Sequence, residues 1–255
     1  LCMIVKNESA VLARCLDSIA DLMDEIIIVD TGSTDNTKEI AAQYTSRIYD
    51  FKWTSDFSAA RNFSFSKATM EYIYTADADE ILDDANRERF LRLKGALLPE
   101  IEIVQMKYVT QGTFDTVLNA KKEYRPKLFR RLRTFTWIDP IHETVRLTPV
   151  TFDSDVEILH CPQSLHSKRD FSIFIKAFEH DGQFSPKIRT MYAKELLKTG
   201  DKKDFTDAKP IFQLIFDNDP ADDARKEAAC VLARIYRMED NKNEFFKLTM
   251  KDMLT

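Results

Sequence analysis

The chain has 255 residues, 44 % hydrophobic and 31 % charged, with a formal net charge of −5. These values belong to a soluble globular protein and exclude the disordered and membrane-embedded classes, and the acidic balance offers no general attraction to nucleic acid or an anionic membrane. The length exceeds the ~100 to 200 residues typical of one domain, so one large domain or a domain with an appendage is expected.

The start, Leu1-Cys2-Met3-Ile4-Val5, runs straight into Lys6-Asn7-Glu8, so no signal peptide is expected, and without an initiator Met the chain is expected to begin just inside the natural N-terminus. No apolar stretch reaches the ~18 residues of a membrane span. Short β-type runs then alternate with amphipathic helical stretches. Leu1 to Val5, Glu25 to Val29, Arg47 to Phe51, Glu71 to Ala76 and Ile101 to Thr110 are the predicted strands, and Ser9 to Met23, Thr37 to Tyr44, Ser58 to Ala68 and Arg87 to Leu97 the predicted helices. This alternation implies a mostly parallel, Rossmann-like sheet covered on both faces, with ligands bound beyond the carboxyl ends of its strands. The informative residues are therefore those just after each strand: Lys6-Asn7-Glu8, Asp30-Thr31-Gly32-Ser33 and Asp77-Ala78-Asp79-Glu80.

From about Thr110 to His160 the pattern becomes irregular β, with Lys127 to Arg131, Thr134 to Ile138 and Val156 to His160 as candidate strands. Beyond Ser167 it reads as helix: Arg169 to His180, Ile188 to Lys198, Phe205 to Phe216, Ala221 to Tyr236 and Lys242 to Met253. Two similar helical segments, beginning at Tyr192 and Leu232, recur about 40 residues apart, near the tetratricopeptide period of ~34. The expected division is a catalytic domain over 1–166 and a helical, repeat-like region over 167–255.

Two carboxylates spaced Asp-x-Asp after a buried strand suit Mg2+ or Mn2+, which take hard oxygen ligands; Asp77 and Asp79 can equally cap a following helix, and Glu80 can compensate its dipole. Asp30 at a strand end can accept hydrogen bonds from a ribose or a base edge, with Ser33 or Thr34 capping the helix beyond. His160 follows an apolar strand, where core packing competes with metal ligation, and His160, Cys161 and His166 lack zinc spacing. The run Lys121, Lys122, Arg125, Lys127, Arg130, Arg131 and Arg133 reads as a solvated face, or else as a mobile arm whose Arg130 or Arg131 clamps a phosphate. No aromatic platform is interleaved with it, so nucleic-acid binding is not expected. Trp53 and Trp137 read as core or as stacking surfaces, and His180 as a helical residue without function. Cys2, Cys15, Cys161 and Cys230 form no Cys-x-x-Cys pair, which fits a reducing cytoplasm.

Four ordered motifs carry a resemblance. Leu1 to Glu8, Asp24 to Thr37, Asp56-Phe57-Ser58-Ala59-Ala60-Arg61-Asn62 and Asp77 to Glu80 stand in the order of family-2 inverting glycosyltransferases. The chain is similar over Leu1 to His160 to the branch with a glycosyltransferase A core followed by tetratricopeptide-like helices, which includes bacterial peptide S-glycosyltransferases of the sublancin type. The resemblance implies that Val5, Asn7 and Glu8 line a base pocket, that Asp30 holds uridine or its ribose, and that Arg61 contacts the nucleotide or its phosphates. It implies that Asp77 meets ribose or metal, that Asp79 is the firmer metal ligand, and that His160 lies near the diphosphate or metal. His142-Glu143 resembles the family's His-Glu site near the acceptor; where many members place an Asp as base, this chain has Glu143. By itself Glu143 can be a surface carboxylate and His142 a structural loop residue. The implied activity is inverting transfer of a hexose from a UDP-sugar, with Mg2+ or Mn2+, to a glycan, lipid-linked or peptide acceptor, with peripheral membrane association among the expected partners. The competing readings are an idle core whose helices recruit a partner, and a nucleotidyltransferase, although the Gly-rich basic loop of the latter is replaced here by Lys6-Asn7-Glu8.

Overall fold

The computed structural model describes residues 1–110, 122–131, 137–138, 140–141, 144–145, 150–161 and 167–252. The chain divides into two compact units, one holding all the strands and the first four helices, the other the remaining helices.

In the first unit, β1 (Cys2–Val5), β2 (Ile27–Asp30) and β3 (Ile48–Asp50) pair in parallel in the order β1-β2-β3. An isolated parallel bridge, Cys2 with Thr75, joins β1 to the end of β4 (Tyr72–Tyr74). From there the sheet continues β4-β7-β6-β10-β5, through β7 (Lys122–Arg130), β6 (Ile103–Thr110), β10 (Thr151–His160) and β5 (Glu80–Ile81). The parallel pattern holds among β1, β2 and β3 and between β6 and β10, while β7 runs antiparallel to both neighbours and β5 antiparallel to β10. A two-residue pair, β8 (Trp137–Ile138) with β9 (Thr144–Val145), stands apart.

Alternation along the strands sorts residues to two faces. Met3, Val5, Ile28, Tyr74, Val104, Met106, Leu128, Val156 and Ile158 form one buried cluster with Leu12, Cys15, Leu16 and Ile19 of α1 (Leu12–Ile19) and Phe90 of α4 (Asp84–Ala96). The α1 residues recur at i, i+3, i+4 and i+7, the apolar stripe that drives a surface helix onto a sheet. On the other face Cys2, Ile27, Val29 and Ile73 pack with Phe63 and Phe65 of α3 (Phe57–Lys67). The short α2 (Thr37–Ala41) follows β2. The result is a three-layer α/β sandwich whose parallel strands end on one edge.

The second unit is helical: α5 (Ser167–Asp181), α6 (Pro186–Thr199), α7 (Lys202–Asn218), α8 (Asp222–Met238) and α9 (Lys242–Asp252). Ser185 caps α6 ahead of Pro186, and Asp201 with Asp204 forms a capping box on α7, so the chain breaks where turn chemistry dictates. Helix α5 packs on α6 and on α7, α6 on α8, and α7 on α8, which is the stacking of tetratricopeptide-like helical pairs. Tyr192 sits at the centre, stacked on Phe174 at 4.7 Å between ring centroids and close to Phe171, Phe184 and Phe212. No helix among the described residues is long and apolar enough to cross a membrane.

Candidate donor and metal site

Three strand ends converge on one edge. The loop after β1 is held by the loop after β2: the Asn7 and Glu8 amides donate to Ser33 Oγ (2.9 Å) and Thr37 Oγ1 (2.8 Å), and the Ser9 amide to Asp35 Oδ2 (3.2 Å). Asn7 adopts a left-handed conformation, φ 55°, which Asn tolerates, and its side-chain oxygen accepts from the Thr34 amide at 2.7 Å. The residues expected to line a base pocket therefore have local work. Asn7 clasps the two loops, the Glu8 carbonyl accepts the first amides leading into α1, and the Val5 side chain is buried in the core with its carbonyl taking Thr31 N.

Asp30 is different. It is 2 % exposed, and Oδ1 accepts the Gly32 and Ser33 amides, both at 2.9 Å. Gly32 reaches φ 103°, a conformation L side chains rarely adopt, and this turns the chain back onto the carboxylate. Oδ2 is buried and has no hydrogen-bond partner among the described residues. A buried acceptor left open is costly unless a ligand donor fills it.

The Asp77-Ala78-Asp79-Glu80 segment is a turn rather than a helix cap. Glu80 N donates to Asp77 O (3.1 Å) and Asp77 N to Glu80 Oε2 (3.2 Å), while the cap of α4 is Asp83, which accepts Asn86 N at 2.9 Å. Glu80 is buried in β5, beside Lys127, so it compensates no helix dipole. Burial raises its carboxyl above the ordinary range despite Lys127. The crowding of protein around Asp77 disfavours its charge, but Lys127, Arg61, Arg125 and His160 outweigh this and hold its carboxyl below the ordinary range. Arg61, on α3, is buried, with Nη2 3.8 Å from Asp77 Oδ1.

Strand β10 runs antiparallel to β5 with His160 opposite Glu80, which brings His160 Nε2 to 3.0 Å from Asp79 Oδ2, while the Cys161 amide donates to Asp79 O. The imidazole also packs against the Tyr108 ring (4.9 Å), and its Nδ1 is buried without a partner among the described residues. Two ligands cis on an octahedral Mg2+ or Mn2+ with bonds of about 2.1 Å lie about 3.0 Å apart, the separation of this carboxylate and imidazole and equally that of the hydrogen bond between them. Among the described residues no group of three or more His, Cys, Asp or Glu is arranged to hold a metal. The Asp79 carboxylate and the His160 imidazole are a donor set that fits a divalent ion whose other positions are taken by diphosphate oxygens and water. The residues fit the expected divalent ion.

Strands in a sheet lie about 4.8 Å apart. With Val5 opposite Asp30 and Cys2 opposite Thr75, Asp30 and the Asp77 turn stand two strands apart on the same edge, about 10 Å.

The basic run is not a solvated face throughout. Lys127, Leu128 and Phe129 are buried in the sheet, and Arg125 lies 3.6 Å over the Tyr108 ring. Arg130 Nη1 donates to Pro99 O and Arg131 Nε to Met70 O (2.6 Å), so both brace loops of the core instead of standing as a phosphate clamp. Trp53 packs edge-on against Phe57. From the sequence, Lys127 and Arg125 were placed in this run without their burial or ring contact, and Tyr108 was missed; the signal for Lys127 was the apolar pair that follows it. His142, Glu143 and His166 lie outside the described residues.

The sequence model of glycosyl transferase family 2 matches residues 1–148. The chain belongs to that family. Among its relatives, the SPbeta prophage-derived glycosyltransferase SunS of Bacillus subtilis is 33 % identical over 126 residues, 48 % of this chain and 30 % of that protein. A TPR repeat-containing protein of Synechococcus elongatus is 48 % identical over 82 residues, 32 % of this chain and 20 % of that protein. The matched segments thus span less than a third of the length of these relatives. Among solved structures, glucosyl-3-phosphoglycerate synthase of Mycobacterium tuberculosis in complex with Mn2+, UDP-glucose and phosphoglyceric acid aligns at TM-score 0.50 and 18 % identity, covering 72 % of this chain and 79 % of that one. That likeness concerns the fold, a glycosyltransferase A type α/β core, which here precedes a helical region.

Proposed function

We propose that this family 2 chain is an inverting hexosyltransferase that binds a UDP-sugar across the carboxyl edge of its sheet and transfers the sugar to a glycan, lipid-linked or peptide acceptor in the cytoplasm. The observation that carries the reading is the pairing of Asp79, on the turn that follows β4, with His160, together with the open buried oxygen of Asp30 at the end of β2. The Asp77 end of that turn, two strands or about 10 Å from Asp30, leaves room for a nucleoside at one end and its diphosphate at the other. Asp30 Oδ2 would accept from the base or the ribose, and Arg61, beside Asp77, would face the diphosphate. Asp79 and His160 would hold Mg2+ or Mn2+, which when bound neutralises charge on the departing diphosphate, and Asp77 would meet the ribose or the ion from the same turn. The solved synthase of similar fold was crystallised with Mn2+ and UDP-glucose, and a SunS relative is named a glycosyltransferase. Glu143, with His142 beside it, is assigned the acceptor side, where a carboxylate takes the acceptor proton as the nucleophile attacks opposite the leaving nucleotide. The division into a catalytic domain over 1–166 and a helical region over 167–255 is part of the same proposal.

The test is a panel of UDP-hexoses incubated with the chain, reading released UDP with Mn2+, with Mg2+ and with chelator. Turnover is expected with the ion and lost with chelator. Asp79→Ala is expected to lose turnover while melting within about 3 °C of the parent, since a strand-end carboxylate contributes little to the core. Near-normal turnover of that variant in Mn2+ would remove the metal assignment.

A further inference from the structure

Lys127 lies in a strongly basic run, yet it is 6 % exposed and its Nζ stands 2.5 Å from Glu80 Oε1. The two side chains are 8 % and 2 % exposed. Removing both charges from water costs more than a surface pair regains, and apolar residues of the same volume often serve stability as well or better. The pair therefore calls for a purpose beyond stability. Its neighbours suggest one. The second Glu80 oxygen accepts the Asp77 amide, the Glu80 amide returns to Asp77 O, and Lys127 O accepts the Thr75 amide at 2.8 Å just before the turn. One residue thus secures both the strand end and, through Glu80, the turn that carries Asp77 and Asp79.

We propose that Lys127 is a positioning residue for the divalent-cation site: through Glu80 it holds the Asp77–Glu80 turn in the conformation that sets Asp79 beside His160. This rests on the functional reading above. Two further observations fit it. Glu80 is the residue opposite His160 in the β5–β10 register, so the anchor and the histidine share one ladder position. Asp79 O takes the Cys161 amide, so a turn released from Glu80 would also lose register with the end of β10.

The experiment measures UDP affinity by calorimetry with chelator and with Mn2+, alongside thermal melting, on the full chain. The double variant Lys127→Met with Glu80→Gln removes both charges together and leaves a side-chain oxygen at position 80. It is expected to bind UDP in chelator as the parent does and to lose about tenfold of the affinity that Mn2+ adds, the usual scale for a residue behind a metal ligand. Glu80→Asp keeps a negative charge beside Lys127 but draws both carboxylate oxygens back by one methylene, away from the Asp77 amide; it is expected to lose affinity in the same way, with melting reporting whether the fold is kept. Either variant, folded and with the parent's full gain from Mn2+, overturns the proposal. So does a folded variant that loses chelator and Mn2+ affinity equally, since the pair would then support the whole pocket rather than the turn. A parent chain whose UDP affinity gains nothing from Mn2+ would overturn the functional reading and this proposal with it.

Discussion

At the residue scale the two oxygens of Asp30 do different work. Oδ1 is spent on the Gly32 and Ser33 amides, and Oδ2 is buried without a partner among the described residues. Asp30→Asn can keep the first and spoil the second, so it should weaken UDP binding by about 1 to 3 kcal/mol with little loss of stability. Glu143→Gln should leave UDP affinity unchanged and depress the transfer step. Calorimetry and turnover on both variants check this, and equal loss of UDP affinity in the two would defeat the division into donor and acceptor sides. Asp35 makes a pH prediction. Burial works against its charge, but hydrogen bonds from Thr37 and Ser9 prevail and hold its carboxyl at about 2. A carboxyl depressed in the folded state stabilises above the unfolded value of about 3.9, and that contribution disappears as pH falls toward 2. Urea midpoints should therefore fall between about pH 4 and pH 2, and more shallowly in Asp35→Asn, which has already lost an acceptor for the Ser9 amide. The identity of Asp30, Asp77 and Asp79 as carboxylates following β-type runs was legible from the residues alone, because strand and turn patterns are local, whereas only the structure moved the helix cap to Asp83 and freed Asp77 and Asp79 from that use. The local duties of Val5 and Asn7 were not, since only the folded loops bring Thr31 and Thr34 to them.

Among the elements, the helices were the more legible, because their stripes and caps are written locally: α1 buries Leu12, Cys15, Leu16 and Ile19, and α7 opens on a capping box. Strand β7 was legible only in part. Lys127 to Arg131 is expected as a strand, but the exposed residues from Lys122 to Pro126 read as surface, and the burial of Lys127, Leu128 and Phe129 emerges only once the sheet closes over them. The core of the helical unit gives a test of its own. Tyr192 lies buried against Phe174, and its hydroxyl has no hydrogen-bond partner among the described residues. Burial also pushes that hydroxyl's pKa up. An unsatisfied buried hydroxyl costs about 1 to 3 kcal/mol, so Tyr192→Phe is expected to hold or raise the melting temperature. A marked drop would show that the hydroxyl has a partner in solution.

For the whole molecule the proposed division of labour is that the strand-containing unit binds the donor and the helical unit selects the acceptor. Lys194, Lys198 and Arg234 are exposed on α6 and α8, so reversing their charges should leave melting nearly unchanged. Transfer to the true acceptor is expected to slow while metal-dependent hydrolysis of the donor survives. Loss of hydrolysis in a stably folded variant would mean that the helices help to form the donor site. The alternation of strands and helices, the change to helix beyond Ser167 and the acidic strand ends were determined by the sequence itself, because periodicity and turn chemistry act over a few residues. Only the tertiary structure decided that His160 stands 3.0 Å from Asp79, 81 positions away, and that Lys127 is buried against Glu80. Both depend on the register of β10 with β5 and the place of β7 in the sheet, long-range pairings that hydrophobic burial selects across the whole fold and that no local pattern encodes.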